Sequence, residues 1–544
     1  MKKLIIIGAV AAGTSAAAKA RRNNENISIT VYDKDSFISY SNCGMPYYIG
    51  GEVDDIDELT PRDVNFFKKK YNVDIHINTE VIDINPSKKM LTVRNNKTKV
   101  VTTDTYDKLI IATGATAKMP LSIRDASREN VFCLRSIKNA QDIKHYIEVS
   151  RAKKAIIVGS GFIGFEMYEN LVNLGLEVTM LELSDKITSI LDPDMSKYLR
   201  TTLEKKGVNI KTSVQVEEIS DNSLKLNTGE MLDFDLVIFA VGVTPNVELA
   251  KMAGIKLGEF GAIKVDRYMK TNIEDIYACG DCIETFSLIT QKPVYRPMGT
   301  VANKTGRIAG DVVTGGSLSY HGNLGTTIFK IFNYEVACTG LTETEAIKTG
   351  IDIVCCHNIK PNKPIYMGGK EMLIKAIADK TFGKLIGVQI IGEEDVDKRI
   401  DVFATLITYG AKVEELFELD LAYSPPFSTT KGPVNYTGMI LNNAMHKGRL
   451  LISADQLDLR QEDIQIIDTR STKDFDSKGH IPGAINIPVD KLRATLSELD
   501  KNKPIAVYCN KGVTGNAAQN ILLNFGFKEV FNVSGGHRFY NETR

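Results

Sequence analysis

Residues 36 to 51 read SFISYSNCGMPYYIGG and hold a single cysteine, Cys43; the next in the chain is Cys133. Gly44 and Pro46 read as a loop entering a helix, with the proline near its first turn. A thiol at a helix start has its thiolate stabilised, and the thiolate is the nucleophile. With no second cysteine beside it, Cys43 has two chemistries open to it. It can cycle through sulfenic acid, or it can form a mixed disulfide with a thiol from outside the chain.

Two glycine turns have the spacing to hold dinucleotides. KLIIIGAVAAGTSAAAKARR followed by ISITVYDKD orders as strand, turn, helix, strand and acidic end. Gly8 and Gly13 are outer glycines around Ala9, Val10, Ala11 and Ala12, and Asp33, followed by Lys34, stands at the ribose position. Backbone N–H groups at the helix start would donate to phosphate oxygens, where the helix dipole favours negative charge. Val10 replaces the usual middle glycine, so this turn alone fits a plain strand–helix connection equally well. The second copy, KKAIIVGSGFIGFEMYENLVNLGLEVTMLEL, has all three glycines: Gly159, Gly161 and Gly164, with Phe162 and Ile163 inside the turn. Glu182 ends its next strand, where a carboxylate accepts from both ribose hydroxyls and repels a 2′-phosphate. That favours NADH over NADPH, with Lys186 nearby pulling the other way.

The elements that carry these residues belong to a long chain. Its 544 residues divide into roughly three to four domains. Lysine and arginine number 67, aspartate and glutamate 67, so nothing in the balance points to nucleic acid or an anionic membrane. The eight cysteines are scattered without metal-type spacing, and a chain of this size does not need disulfide staples. Reduced thiols in a cytoplasm fit best. The opening MKKLIIIGAVAAGTSAAAKA has the look of a secretory signal, but a buried strand turning into an amphipathic helix explains it better. No segment reaches the roughly 20 apolar residues that span a bilayer.

YDKLIIATGA is a strand ending at Ala112, Thr113 and Gly114; AVGVTPN comes next with Gly242; TNIEDIYACGDC is then a strand ending at Gly280 and Asp281. Two nucleotide units, the second inserted in the first, with these signatures in order, resemble the two-dinucleotide flavoprotein disulfide reductases over residues 1 to about 440. The resemblance implies FAD on the first unit, with Asp281 on the ribityl chain, and NADH or NADPH on the second. It also puts Cys43 at the position facing the flavin. SNCGMPYYIGG is similar to the motif of the coenzyme A-disulfide reductases, here fused to a rhodanese (a CoADR-rhodanese fusion). The related peroxidases place a histidine in the first glycine loop, and this chain has none there. IYMGG and AYSPPFSTTKG carry Tyr366 and Tyr423, whose counterparts reach the active site from the other subunit, one able to protonate a departing thiolate. The resemblance further implies coenzyme A as substrate or bound ligand, held by cations Lys19, Arg22 and Lys70 with polar contacts from Ser15, Ser39, Asn42, Asn303 and Lys431.

Past residue 450, DTR at 468 to 470 and GHIPGAINIP at 479 to 488 resemble a rhodanese domain. Cys509 ends the strand AVYC and opens the loop NKGVTG, whose backbone N–H groups can converge on a thiolate or a persulfide. An arginine common late in this loop is absent, with Thr514 and Gly515 in its region, so thiosulfate should be a poor donor.

The fold class expected is α/β: two Rossmann-like FAD- and NAD(P)-binding domains, an α+β dimerisation domain and a C-terminal α/β rhodanese domain. The boundaries read as 1–114 and 246–320 for FAD, 115–245 for NAD(P)H, 321–445 for dimerisation and 456–544 for the rhodanese. The implied activity is an NAD(P)H reductase of coenzyme A disulfide, persulfide or polysulfide in a cytoplasmic homodimer with a shared active site. Two alternatives stand beside it: an NADH oxidase or peroxidase using a Cys43 sulfenate, and a redox-sensing sulfur-delivery protein.

Overall fold

Strand Lys3–Ile7 is buried along almost its whole length, as the run LIII requires of a central parallel strand. The computed structural model describes residues 2–119 and 128–544, which form two compact units: Met1–Ser184 with Lys211–Asn323, and Asp185–Ile210 with Leu324–Arg544. The fold is mixed α/β throughout.

In the first unit, Lys3–Ile7 lies between Ser28–Tyr32 and Lys108–Ile111, with Ile276–Ala278 and Asp74–His76 outside them, all parallel. Helix Ala11–Asn23 crosses helix Gly299–Val313 at backbone distance. A Cβ on Gly306 would stand 2.2 Å from Ala12 O, and one on Gly310 would stand 2.3 Å from Ala16 O. Alanine on one helix and glycine on the other, both at four-residue spacing, make the close approach possible. A second parallel sheet orders Glu177–Leu181, Lys154–Val158, Leu236–Phe239 and Val131–Cys133. Chain leaves for this sheet through Ala115–Ala117 and returns through Val243–Pro245, and those two segments pair antiparallel.

In the second unit, five antiparallel strands run in the order Thr327–Ile331, Tyr334–Gly340, Leu385–Gly392, Glu371–Asp379 and Ile353–Pro361. A five-stranded parallel sheet follows, with Ile505–Tyr508 between Val530–Val533 and Gln465–Asp468. This last sheet is docked on the antiparallel one: His357 stacks on Phe539 at 4.1 Å between ring centres and bonds Ser534 Oγ through Nδ1 at 2.9 Å. No helix among the described residues is long and apolar enough to cross a membrane.

Candidate active site

Three loops leave the same end of the first sheet because the strands before them are neighbours and parallel, the arrangement in which such sheets bind ligands. At Gly8 the chain turns with φ +105, and a Cβ there would lie 2.2 Å from Ala112 O. A Cβ on Gly13 would come within 1.8 Å of Gly8 O, so helix and turn are pressed together. Val10 has φ −94, so the turn does not call for a left-handed residue there. Ala9 N donates to Asp33 Oδ2 at 2.6 Å and Asp35 N to Oδ1 at 2.9 Å. Burial pushes the Asp33 carboxyl up, and those backbone donors work against it. Lys34 beside it is exposed.

The Ala112-Thr113-Gly114 turn is clamped by Asn246, which accepts from Thr113 Oγ1 through its backbone oxygen at 2.7 Å and donates from Nδ2 to Thr113 O at 2.8 Å. Gly280 turns with φ +80 into Asp281. Arg135 donates to Asp281 Oδ2 at 2.6 Å, while Asp281 Oδ1 is buried with no hydrogen-bond partner among the described residues. A buried carboxylate oxygen needs a donor, and a hydroxyl of the FAD ribityl chain is one. With the pressed glycine turn and Asp33, the residues present fit that cofactor.

The second cradle repeats the first in stronger form. Gly159 has φ +108, and its Cβ would meet Ala240 O at 2.6 Å; a Cβ on Gly164 would meet Gly159 O at 2.1 Å. Gly161 differs, because its nearest protein atom would be 4.0 Å from a Cβ, leaving the space above it open. Phe162 and Ile163 open the helix Phe162–Asn173 just behind it. Glu182 Oε2 accepts from Ser160 N and Oγ at 3.0 and 2.6 Å, which turns the carboxylate toward the glycine turn. Gly242, at φ +93, accepts from Lys118 N at 2.9 Å where the chain returns.

Cys43 lies in the 3₁₀ turn Asn42–Gly44, which runs into helix Met45–Gly50 with Pro46 in its first turn. This helix is wedged in place. A Cβ on Gly44 would meet Leu59 Cδ2 at 2.3 Å, and one on Gly50 would meet Asn170 Oδ1 at 1.9 Å. Among the cysteines, Cys43 is the exposed one. Solvent reaches its side chain, yet protein lies close enough that desolvation pushes the thiol up; Glu166 adds to this and Arg135 opposes it. The lowered thiol expected from a helix start is therefore outweighed by the protein's own surroundings. Glu166 itself is pushed up to about 7 by burial and by Glu169. Asn42 Nδ2 donates to Arg135 O at 3.5 Å, and its Oδ1 is buried without a partner among the described residues.

A cavity of about 580 Å³ extends from Ser41 along helix Ala11–Asn23. Ser15, Arg22, Ser39, Lys70 and Asn303 line it. Within the run Lys68-Lys69-Lys70, Lys68 pairs with Asp74 at 2.6 Å and Lys70 is the lysine in the cavity wall. Lys19 is absent from that wall and instead meets Asp311 at 3.0 Å. Arg62, Phe66 and Arg307 also line the cavity and escaped sequence reading. Arg307 follows Asn303 by one helical turn, a spacing that would have found it once Asn303 was chosen. Four cations against the single acid Glu58 make this a groove for an anion.

In the second unit, Tyr366 occupies the 3₁₀ turn Ile365–Met367 and is 77% exposed; Tyr423 is 50% exposed in an irregular segment. Ile365, Phe417 and Phe427 are exposed as well. Exposed apolar side chains in such number suit a covered surface. Lys431 is exposed, and its backbone oxygen accepts from Thr429 Oγ1 at 2.8 Å.

The Cys509 loop closes around its sulfur: Gly512 N donates to Sγ at 3.2 Å, and Gly512 turns with φ +96 into helix Val513–Asn524. A Cβ on Gly515 would meet Asn532 Oδ1 at 2.3 Å, so a large side chain has no room there. The DTR and GHIPG motifs meet through Arg470, which forks onto Asp468 and donates from Nη2 to Gly479 O at 2.7 Å.

Residues 2–301 match the pyridine nucleotide-disulphide oxidoreductase family, 326–432 its dimerisation domain and 453–542 a rhodanese-like domain. An NADH oxidase of Methanocaldococcus jannaschii is 36% identical over 80% of this chain and 97% of its own. Two solved structures span the rhodanese-like part as well. Reduced Bacillus anthracis CoADR-RHD is 35% identical with a TM-score of 0.97, covering 100% of this chain and 98% of its own. An NAD-dependent persulfide reductase from A. fulgidus is 37% identical with a TM-score of 0.91, covering 99% of each.

Proposed function

The chain belongs to the pyridine nucleotide-disulphide oxidoreductase family, and from that premise we propose that it reduces coenzyme A disulfide, coenzyme A persulfide or polysulfide through Cys43, with the rhodanese handling sulfane sulfur. It is an FAD- and NAD(P)H-dependent oxidoreductase. The observation that carries the substrate reading is a lone exposed thiol two residues from the end of a cationic groove. Coenzyme A is a thiol at the end of a long arm whose other end bears phosphates, and Arg22, Arg62, Lys70 and Arg307 suit those phosphates.

FAD, which the Gly8–Gly13 turn, Asp33 and Asp281 would hold, would supply the two electrons, drawn from NAD(P)H, that break a disulfide. Cys43 thiolate attacks coenzyme A disulfide, a Cys43–S–S–CoA bond forms and one coenzyme A thiolate leaves. With a coenzyme A persulfide the same attack on the inner sulfur releases hydrosulfide and forms the same mixed disulfide. Reduction by two electrons then returns Cys43 thiolate and frees the second coenzyme A, which takes its proton from Tyr366 or Tyr423 of the partner subunit. A phenol suits this because it donates without a fixed charge that would hold the leaving thiolate. The dimerisation domain supports a homodimer. We assign it to the cytoplasm without nucleic-acid partners, in keeping with scattered cysteines and a net charge of zero, and keep the domain boundaries read from the sequence.

Cys43→Ser should abolish NAD(P)H-dependent disulfide and persulfide turnover while leaving the flavin bound, measured by thiol release and flavin absorbance. Retained turnover would refute its role. The 36% identity to an NADH oxidase favours a second reading, a Cys43 sulfenate cycle. Intact mass separates the two: coenzyme A on Cys43 as isolated, or added oxygen.

A further inference from the structure

The rhodanese loop is tied to the neighbouring antiparallel sheet by one carboxylate. Glu371 opens strand Glu371–Asp379, opposite Pro361. Its Oε1 accepts from Lys511 Nζ and its Oε2 from Arg538 Nη1. Lys511 is two residues past Cys509, within the loop itself. Arg538 belongs to helix Gly536–Glu542, whose start frames the same loop: His537 N donates to Cys509 O at 2.8 Å and Arg538 N to Asn510 O at 3.1 Å. Although burial opposes it, the two cations hold the Glu371 carboxyl below its ordinary range. The remaining arginine of the neighbouring motifs, Arg470, is locked on Asp468. Lys511 and Arg538 thus share one acid while Arg470 has its own, and Gly515 leaves no room for a further cation in the loop.

We propose that Glu371 is a specificity-determining residue for sulfur transfer at Cys509. By offsetting one of the two positive charges of Lys511 and Arg538 it weakens the field that a dianionic inorganic donor needs, and leaves Cys509 better suited to persulfides of a thiol. The proposal rests on the reading of Cys509 as an active persulfide carrier. In either transfer Cys509 thiolate attacks the outer sulfur, a Cys509–S–S⁻ persulfide forms and the old S–S bond breaks. A thiol persulfide releases a thiolate; thiosulfate releases sulfite dianion. The electron count is the same for both, but thiosulfate brings two negative charges to a site already holding one, so it depends on the local cations.

The test uses the full-length holoenzyme, with thiocyanate formed from cyanide as readout and thiosulfate or cysteine persulfide as donor. Glu371→Gln keeps the side chain's shape and frees the two cations, so the KM for thiosulfate should fall about tenfold while that for cysteine persulfide moves less than about threefold. Adding Lys511→Gln should return most of the thiosulfate KM. An unchanged thiosulfate KM in Glu371→Gln with persulfide transfer intact overturns the proposal, as does a lowered KM that survives the second substitution. The unsubstituted enzyme provides a test independent of folding. Its thiosulfate KM should rise less than about threefold between ~0.02 and ~0.2 M salt, the response of the one charge left uncompensated, and a larger rise would mean that both cations already serve the donor. If no Cys509-dependent transfer occurs from either donor, Cys509's own role fails first and takes this proposal with it.

Discussion

Cys43 is exposed to solvent, yet its surroundings favour the thiol. Burial comes first among the causes and the Glu166 carboxylate second, so removing Glu166 should release part of the upward push. Because Glu166 titrates at about 7, it is mostly ionised at slightly alkaline pH, and its repulsion of a thiolate is then at its strongest. Glu166→Gln should therefore speed alkylation of Cys43 by iodoacetamide several-fold above about pH 7.5, with the difference shrinking as pH falls through 7 and Glu166 protonates. A rate difference independent of pH would show that the carboxylate acts through packing and not through charge. In the opposite sense Arg135 helps the thiolate while also holding Asp281, so one guanidinium serves both the sulfur and the Asp281 carboxylate.

Helices set the distances that these residues need. Helix Ala11–Asn23 begins at the first glycine turn and also lines the groove with Ser15 and Arg22, so under the proposed function its position would control two ligands at once. Its seat is the crossing at Gly306 and Gly310, where backbone meets backbone. Gly306→Val would thrust carbon into Ala12 O and should cost about 3 kcal/mol of stability, read as a lowered melting temperature. It should also lower the flavin-to-protein absorbance ratio if Ala12, in the first turn of that helix, borders the cofactor as proposed. A stable variant with a full flavin complement would mean that the two helices can part without moving the turn.

Across the whole molecule, the arrangement of the tyrosines asks for a second subunit. Both are exposed on a unit that carries the dimerisation domain, along with apolar neighbours. If they serve the partner's Cys43, mixing Cys43→Ser protein with Tyr366→Phe/Tyr423→Phe protein should rebuild one complete site per hybrid dimer. Random exchange then predicts about a quarter of the unsubstituted activity from two nearly inactive parents. No recovery after verified subunit exchange would place the proton donor within one chain. The same unit holds the rhodanese sheet against the antiparallel sheet, where His357 bonds Ser534 and also Asp194 through Nε2 at 2.8 Å.

What the sequence determined by itself were the features encoded in short windows. Glycine spacing, an acid at a strand end and the lone cysteine before Gly-Met-Pro each express a local steric or electronic need, and local needs leave local marks: Gly8, Gly13, Gly159 and Gly164 are glycine because a Cβ would strike a carbonyl. Only the tertiary structure decided which of many surface charges meet. Lys19 lies with Asp311, Lys70 and not Lys68 enters the cavity wall, Arg62 and Arg307 join it, and Glu371 reaches Lys511 from 140 residues away. A lysine or glutamate carries no local signature of its partner, because charge acts through space and the chain brings distant segments together only on folding.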